Sequence, residues 1–537
     1  MPKIKLKKVC NFRAIFCLFL VVIISIFGAV KCYSNKLYLL LLIFPVAYFV
    51  YLAIRHRFFL IGISFFVLLG VTIFSYTNIH NFNTCVVPSG QVAVVATVEK
   101  ITDKGSYYIL NLKDLSYKEE EGEIAQSLVG NATVFVNSTN FDINIKRYST
   151  IAIMAIFEKN SVEESYGYYY LYNNTRYKLN LVYGTRPVPI GRDMNMLENF
   201  REYNLKLLVD GLGEENGNLC YSILYGDKSY LSTEDLNDYR NTGVVHLFAV
   251  SGLHVGLLVA VLVWLLSKCS VKGRAQFVTI TVFLFVYCLL CSFTPSVVRA
   301  SIMAICLLLS KLFSRKYDPL NALSLAGIIL LALSPMSLFS TGFQLSFCAT
   351  FGIIFLSRLF NLVHFKNSFA QELWNAIRIT ISAQIGVAPL MFYYFGWISA
   401  WSILANLLLV PLFTLFYTVL FAVNFFVVVC PQLQVIAKVP EAIFEVFRYF
   451  NNIIMGLPNG TIFFNKINLP SIVLYFVLLW TSSKYLVVST KTRGIVAIIL
   501  VLTITFFVIT SDYYPAGNSV AVLDFFRNNS KLFLAPN

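Results

Sequence analysis

Charge is scarce in this chain: Asp, Glu, Lys and Arg make up 13% of 537 residues, too little to cover a water-soluble globule of that length. Histidine is scarcer still, with five in all and none after His364. A His-x-His-x-Asp-His zinc set therefore cannot be built from the C-terminal part, and no metal site or cofactor is expected. No G-x-x-x-x-G-K-S/T phosphate loop occurs, which excludes ATP hydrolysis by that route. Most cysteines, among them Cys17, Cys288, Cys291, Cys306 and Cys348, fall in apolar runs where they serve as small hydrophobes. The stretch 76–191 holds only Cys85, so no disulfide can close within it.

What is abundant is apolar surface, with 58% hydrophobic residues and a mean hydropathy of +0.71. A bilayer core of roughly 30 Å needs about 20 apolar residues per spanning helix, and helices satisfy their backbone internally. The fold class is therefore a polytopic α-helical membrane protein with about 11–13 transmembrane helices. The basic N-terminus leads into a run from Ala14 to Val30 with the outline of a signal peptide. No small-residue cleavage site follows it, so it is expected to remain as the first helix. Two more runs, Leu37–Leu52 and Phe58–Phe74, complete an N-terminal group (1–75). Later runs are expected at His246–Leu266, Phe277–Cys291, Val297–Phe313, Leu320–Leu333, Phe343–Phe360, Ile377–Phe395, Trp401–Val428, Ser471–Leu486 and Ile495–Thr510. Trp401–Val428 is long for one crossing and contains Pro411. With the amphipathic stretch Glu441–Met455 it is expected to give two crossings or a broken re-entrant pair.

Lys268, Lys272 and Arg274, then Lys311, Arg315 and Lys316, then Arg358 and Lys366, then Lys484, Lys491 and Arg493 mark every second connection. By the positive-inside rule these face the cytoplasm, with the N-terminus inside and the C-terminus outside the membrane. The net charge of +15 has the same ordinary source, or marks a polyanionic partner.

The polar insert is expected outside. Within 76–191, QVAVVATVEK (91–100), SYYILNL (106–112), ATVFVN (132–137) and IAIMAIF (151–157) read as short strands rich in β-branched and aromatic residues. Four or five such strands suit a small, OB-like β-barrel. Its tyrosine run, with Tyr168, Tyr169, Tyr170, Tyr172 and Tyr177 beside Arg176 and Lys178, could stack bases and meet phosphates. The same tyrosines could instead pack the barrel or form an interfacial belt. Residues 192–243 read as amphipathic helices lying on the outer membrane face, charged too heavily to span. A helical membrane domain (244–511) and a tail (512–537) complete the division.

The segment with the most chemical information is GDKSYLSTEDLNDYRNTGVVHLFAVSGLHVGLL, residues 226–258, which brings polar groups to the start of a membrane helix. On an unbroken helical wheel, His246, Ser251 and His254 share one face, while Gly252 and Gly256 occupy the opposite one. A G-x-x-x-G face admits a neighbouring backbone, leaving the polar face to line a water path. Two other readings are open: a Ser251–His254 nucleophile pair or two-histidine metal site, and plain interhelical hydrogen bonding.

Gly226-Asp227-Lys228 followed by HLFAVSGLHVG (246–256) resembles the signature of ComEC-type competence proteins. TPSVVRASIMA (294–304), with Pro295, Arg299 and Ala300, agrees in order. So do the segment 318–353, with Asp318, Pro319, Pro335, Gly342, Gln344, Leu345, Ser346 and Phe347, and Asn406 and Pro411 in ANLLLVP. The resemblance spans about Tyr76 to Pro458. It implies a channel that moves single-stranded DNA inward during transformation, with His246, Ser251, His254, Arg299, Gln344 and Ser346 lining or gating it. Arg299 could offer a bidentate phosphate contact, or snorkel to lipid headgroups. Gln344 and Ser346 follow a helix break at Pro335 and Gly342 that could line the same path, or act as interhelical glue. The implied partners are single-stranded DNA, membrane lipids, an outer DNA receptor, a cytoplasmic helicase-like ATPase and a separate nuclease. SVAVLD (519–524) is similar to the opening of the metallo-β-lactamase-like domain that many relatives carry, so the chain by itself is expected to be a channel and not a nuclease. A transporter or exporter of another solute and an intramembrane hydrolase using Ser251 and His254 are the alternatives.

Overall fold

The computed structural model describes residues 14–32, 43–54, 58–118, 125–142, 144–162, 167–192, 194–231, 233–356, 365–458, 460–463, 469–482, 498–499 and 502. The expected run Ile495–Thr510 falls almost wholly outside these residues, and the tail 512–537 entirely so. Three helices, α1 (Ala14–Cys32), α2 (Ile43–Ile54) and α3 (Phe58–Asn83), precede a β domain. That domain contains β1 (Gln91–Asp103), β2 (Tyr107–Lys118), β3 (Gln126–Ser127), β4 (Asn131–Asn137), β5 (Ser149–Lys159), α4 (Gly167–Tyr172), β6 (Thr175–Leu181) and β7 (Val188–Arg192). Helices follow as α5 (Met196–Leu212), α6 (Glu214–Tyr225), α7 (Thr233–Asn241), α8 (Gly252–Lys268), α9 (Gly273–Leu290), α10 (Pro295–Leu312), α11 (Pro319–Leu333), α12 (Thr341–Leu356) and α13 (Ser368–Tyr394). The short pair β8 (Trp397–Ser399) and β9 (Thr461–Phe463) brackets α14 (Ser402–Val429) and α15 (Lys438–Met455), and α16 (Leu469–Ser482) comes last.

Six helical stretches among the described residues are long and apolar enough to cross a membrane: Ala14–Lys31, Gly62–Asn83, Gly273–Leu290, Pro295–Leu312, Ser368–Tyr394 and Ser402–Val429. The apolar helices Gly252–Lys268, Pro319–Leu333 and Thr341–Leu356 are shorter.

The β domain owes its sheet to alternation. Val92, Val94, Ala96 and Val98 on β1 point inward with Leu110 and Leu112 on β2 and Ala132, Val134 and Val136 on β4. β1 pairs with both β2 and β5, β2 with β4, β4 with β6 in parallel, and β6 with β5, so the pairings run in a ring. The strand β6, TRYKLNL, lies inside what the sequence suggested was a tyrosine-rich binding run.

One expectation fails in the helical part and a second is narrowed. The stretch 192–243 does not simply lie on a membrane face. Gly213, at φ 80°, breaks it into α5 and α6, and from Leu219 to Tyr225 α6 is buried in the main helical core. Its charges cluster at Glu214 and Glu215, leaving the apolar half free to go inside. Nor is 401–428 broken: α14 runs uninterrupted through Pro411. One missing N–H there costs a single helical bond, and the helix keeps Leu409, Phe413, Phe416 and Tyr417 fully buried. The amphipathic α15 that follows packs Phe444 and Phe447 against Phe416 and Phe413.

A second core joins the N-terminal group to the later helices. Phe19 stacks on Phe347 at 5.7 Å and lies against Gly327, where any Cβ would clash with its ring. A close backbone approach between helices is at Gly352 on α12 and Gly386 on α13, whose Cα atoms each lie within 2.9 Å of where the other's Cβ would be.

Candidate functional site

The site is built where α8 begins. Residues Val245–Phe248 form a 3-10 turn, the chain extends at Ala249, and α8 starts at Gly252 with Ser251 as its N-cap. The wheel that placed His246 beside His254 does not exist, because the helix does not pass through Gly252. His246 is exposed on the turn, while His254 is 1% exposed.

Ser251 and His254 form a capping box. Leu253 N–H donates to Ser251 Oγ at 3.2 Å, and Ser251 N–H donates to His254 Nδ1 at 2.8 Å. Histidine here takes the role usually given to Glu or Gln at N3. The nucleophile reading loses its geometry, since the imidazole accepts from the serine's backbone and not its hydroxyl. With Nδ1 accepting, the ring proton of neutral His254 is on Nε2. That atom is buried without a hydrogen-bond partner, and the ring packs on Tyr417 (4.3 Å) and Phe413 (5.5 Å). His254 is thus held in a sealed aromatic contact instead of facing a water path.

Behind it runs a buried hydroxyl relay. Tyr287 donates to Leu224 O at 3.1 Å, so its oxygen accepts from Tyr417 at 2.8 Å, tying α6, α9 and α14 together. Cys288 and Cys291 are spaced as C-x-x-C, but Cys288 Sγ donates to Ser301 and Cys291 Sγ to Leu224 O. No cluster of three or more His, Cys, Asp or Glu able to hold a metal occurs among the described residues.

Gly256 is exposed, and a Cβ there would meet nothing, so it is not a packing seam. Gly252 does have a neighbour, the Arg299 guanidinium, whose Nη2 lies 2.7 Å from where its Cβ would be. Arg299, on the second turn of α10, is 7% exposed. Ser296 on the same helix donates to Val250 O at 2.6 Å and fixes the extended segment. The motif's first half is joined to its second through Gly226, which caps α6 at φ 76° and sits against Val250.

Gln344 has other partners: its Nε2 donates to Leu338 O at 2.9 Å, and Tyr394 donates to its Oε1 at 2.7 Å. Ser346 is half-buried on α12. Asp318 is the N-cap of α11, accepting from Leu320 and Asn321, which accounts for the Asp-Pro pair at 318–319 structurally.

Asp227 marks the junction with the β domain. Its carboxylate pairs with Arg147 and accepts from Ser229 Oγ at 2.5 Å. Burial would raise the carboxyl's pKa, but Arg147 and Ser229 outweigh it and hold the group below its usual value. Lys113 and Glu198, 3.1 Å apart, add a second bridge across the junction. Arg147 and the glycine pair 352/386 were not found from sequence. A lone glycine in an apolar helix is a weak signal of close packing, and nothing local marks Arg147.

The tyrosine run has a different place from the one expected of it. Tyr177 is 2% exposed and meets Phe157 edge-on at 5.4 Å in the β core. Arg176, 9% exposed, donates to Asn174 Oδ1 and to Asn81 O at the end of α3. Lys178 pairs with Glu158 at 3.1 Å. Tyr168 stacks on Phe339 at 4.7 Å, and with Tyr170 and Tyr172 flanks the contact of Leu171 with Val30, Ile79, Phe82 and Met336. Arg176 and the tyrosines of α4 dock the β domain on the helices, because aromatic bodies with polar tips suit a half-buried junction. Tyr107 and Phe135 instead lie adjacent on β2 and β4, at 6.1 Å, with Phe135 41% exposed.

Together these features define a helical membrane protein carrying an inserted β domain, with a capped, tightly packed helix start at its centre. Residues 223–489, which include that centre, match the family described as Competence protein, and the chain belongs to the ComEC-type competence proteins. It is 32% identical over 216 residues to ComE operon protein 3 of Bacillus subtilis, covering 40% of this chain and 27% of that protein. It is 27% identical over 287 residues to an uncharacterized protein of Aquifex aeolicus, covering 52% and 66%. With Recombination protein 2 of Haemophilus influenzae it shares 26% identity over 247 residues, covering 43% and 31%. The chain thus spans less than two thirds of each of these relatives. No solved structure matches it.

Proposed function

We propose that this protein is a DNA-uptake channel, moving one strand inward across the cytoplasmic membrane during transformation, with the β domain an OB-like barrel on the outer side. The observation that carries this is the coincidence of the competence-family region, 223–489, with the helical core built round the Gly226–Gly256 motif. The ring of strand pairings in the β domain, with one parallel pair, agrees with a small barrel. The aromatic pair Tyr107 and Phe135 is the better stacking surface on it, in place of the tyrosine run.

A positive cluster lies close by. Lys104 loses basicity through burial and then through the neighbouring charges of Arg240 and Lys100, which belong to the α7 and β1 sides of the junction. Like charges gathered in this way favour a polyanion. His246, Ser251, Arg299, Gln344 and Ser346 remain the candidates for contact with the strand, whereas His254 acts from behind as a brace. Transport of another solute is the second reading, and the capping geometry of Ser251 and His254 argues against a hydrolase. An outer receptor and a cytoplasmic helicase-like ATPase are the partners proposed for this function, and a separate nuclease is one route for degrading the other strand.

The test is internalisation of labelled DNA by cells lacking the protein. We expect bound DNA to stay accessible to added nuclease. Normal accumulation of protected label would defeat the proposal and leave the solute transporter standing.

A further inference from the structure

Arg299 is a buried cation with which no carboxylate among the described residues pairs. It is 7% exposed, its Nε has no hydrogen-bond partner, and the ionisable group that acts on its charge is the Tyr317 phenol, not a carboxylate. Its guanidinium is aimed at the first turn of α8, with Nη2 filling the space where a side chain on Gly252 would stand. That turn is itself positive: α8 has 17 residues, and its aligned peptide dipoles leave about half a unit charge at the N-terminus. Two positive features therefore face each other, the guanidinium buried and the turn half-buried. Ser251 and His254 already satisfy the Leu253 and Ser251 N–H groups, while the Gly252 N–H, at the first helical position, has no acceptor within its own helix.

We propose that the first turn of α8 and the Arg299 guanidinium form a binding site for a phosphodiester group. One phosphate oxygen accepts from Gly252 N–H and others from the guanidinium fork, so the anion lies between the two positive features and relieves their repulsion. Gly252 is then glycine to let the guanidinium and the anion reach the helix end. This deepens the channel proposal, on which the choice of a nucleic-acid strand as the source rests. An anionic phospholipid headgroup presents the same chemistry.

The full chain in nanodiscs of phosphatidylcholine alone, titrated with labelled oligothymidine over a range of salt, tests the strand. Arg299→Gln should weaken binding about tenfold and flatten the log–log salt dependence by about 0.7, the value for one phosphate contact on a single strand. Arg299→Lys should keep the slope yet bind more weakly, since an ammonium cannot make the fork, and it carries the test should the glutamine variant not fold. In a parallel arm, thermal stabilisation by phosphatidylglycerol over phosphatidylcholine is compared in wild type and the variants. Its loss in the variants, with oligothymidine binding unchanged, assigns the site to lipid. Should neither quantity move in a folded Arg299 variant, the site is refuted. A wild type that binds no oligothymidine refutes the channel's substrate, and the lipid arm still judges the site.

Discussion

Arg147 and Arg299 are both largely shielded from solvent, and their surroundings differ in kind. Arg147 lies where the β domain meets the helices, paired with Asp227, donating to Glu99 O and lying over the Tyr148 ring. Arg176 is likewise saturated by Asn174 and Asn81. At the start of α8, by contrast, the Arg299 guanidinium lies against Gly252, and the ionisable group acting on it is the Tyr317 phenol. At the junction Arg147 is neutralised by Asp227 and Arg176 is hydrogen-bonded to uncharged groups, whereas no carboxylate among the described residues pairs with Arg299.

Removing the neutralised partner should have the largest effect. Arg147→Ala strands the Asp227 carboxylate and should cost about 3–5 kcal/mol, seen as a fall in the midpoint of thermal unfolding in detergent. The double change Arg147→Met with Asp227→Leu should recover most of it. Because Asp227's folded pKa lies below its usual 3.8, its contribution is complete above that value and is lost as pH falls beneath it. Wild type and Arg147→Ala should therefore converge in stability only in that acid range, and convergence near neutrality would contradict the pairing.

The two glycine positions sharpen the contrast within the membrane region. Gly352→Ala would drive a methyl into Ser382 O and Gly386, at 2.3 and 2.8 Å, and should destabilise by about 1–3 kcal/mol. Gly256→Ala meets open space and should be neutral or stabilising by up to about 1 kcal/mol through helix propensity. Equal effects at the two positions would show that the α12–α13 contact is misjudged. Ser251→Ala should cost about 1 kcal/mol through loss of the N-cap, with Ser251→Asp restoring most of it. A similarly small change, below about 1 kcal/mol, is expected at Lys178→Ala, because its pair with Glu158 is exposed. Calorimetric or spectroscopic melting of each variant would order the four.

Much of the fold could be read from residue pattern. The strands at 91–103 and 131–137 follow from β-branched alternation, and the helices after Gly252 from apolar length. What misled was periodicity carried across a break. Between Leu247 and Leu253 nothing in composition shows that the backbone extends at Ala249 and Ser251, so a wheel drawn through them joined His246 to His254 falsely. The tyrosine run was misread for the related reason that stacking on bases and stacking at a domain junction demand the same side chains. Tyr177 and Arg176 became structural only once β6 had put one in the core and the other against α3.

By itself the sequence determined that this chain belongs in a membrane, that a β domain interrupts its helices, and that residues 226–256 carry the competence-type motif, because hydropathy and motif order are linear properties. The tertiary structure decided which polar groups there are satisfied and which are not. Ser251 N–H finds His254 Nδ1, Asp227 finds Arg147 from 80 residues away, and among the described residues Arg299 finds no carboxylate. Pairing of buried charges depends on what folding brings within a few ångströms, and distance along the chain carries no record of it.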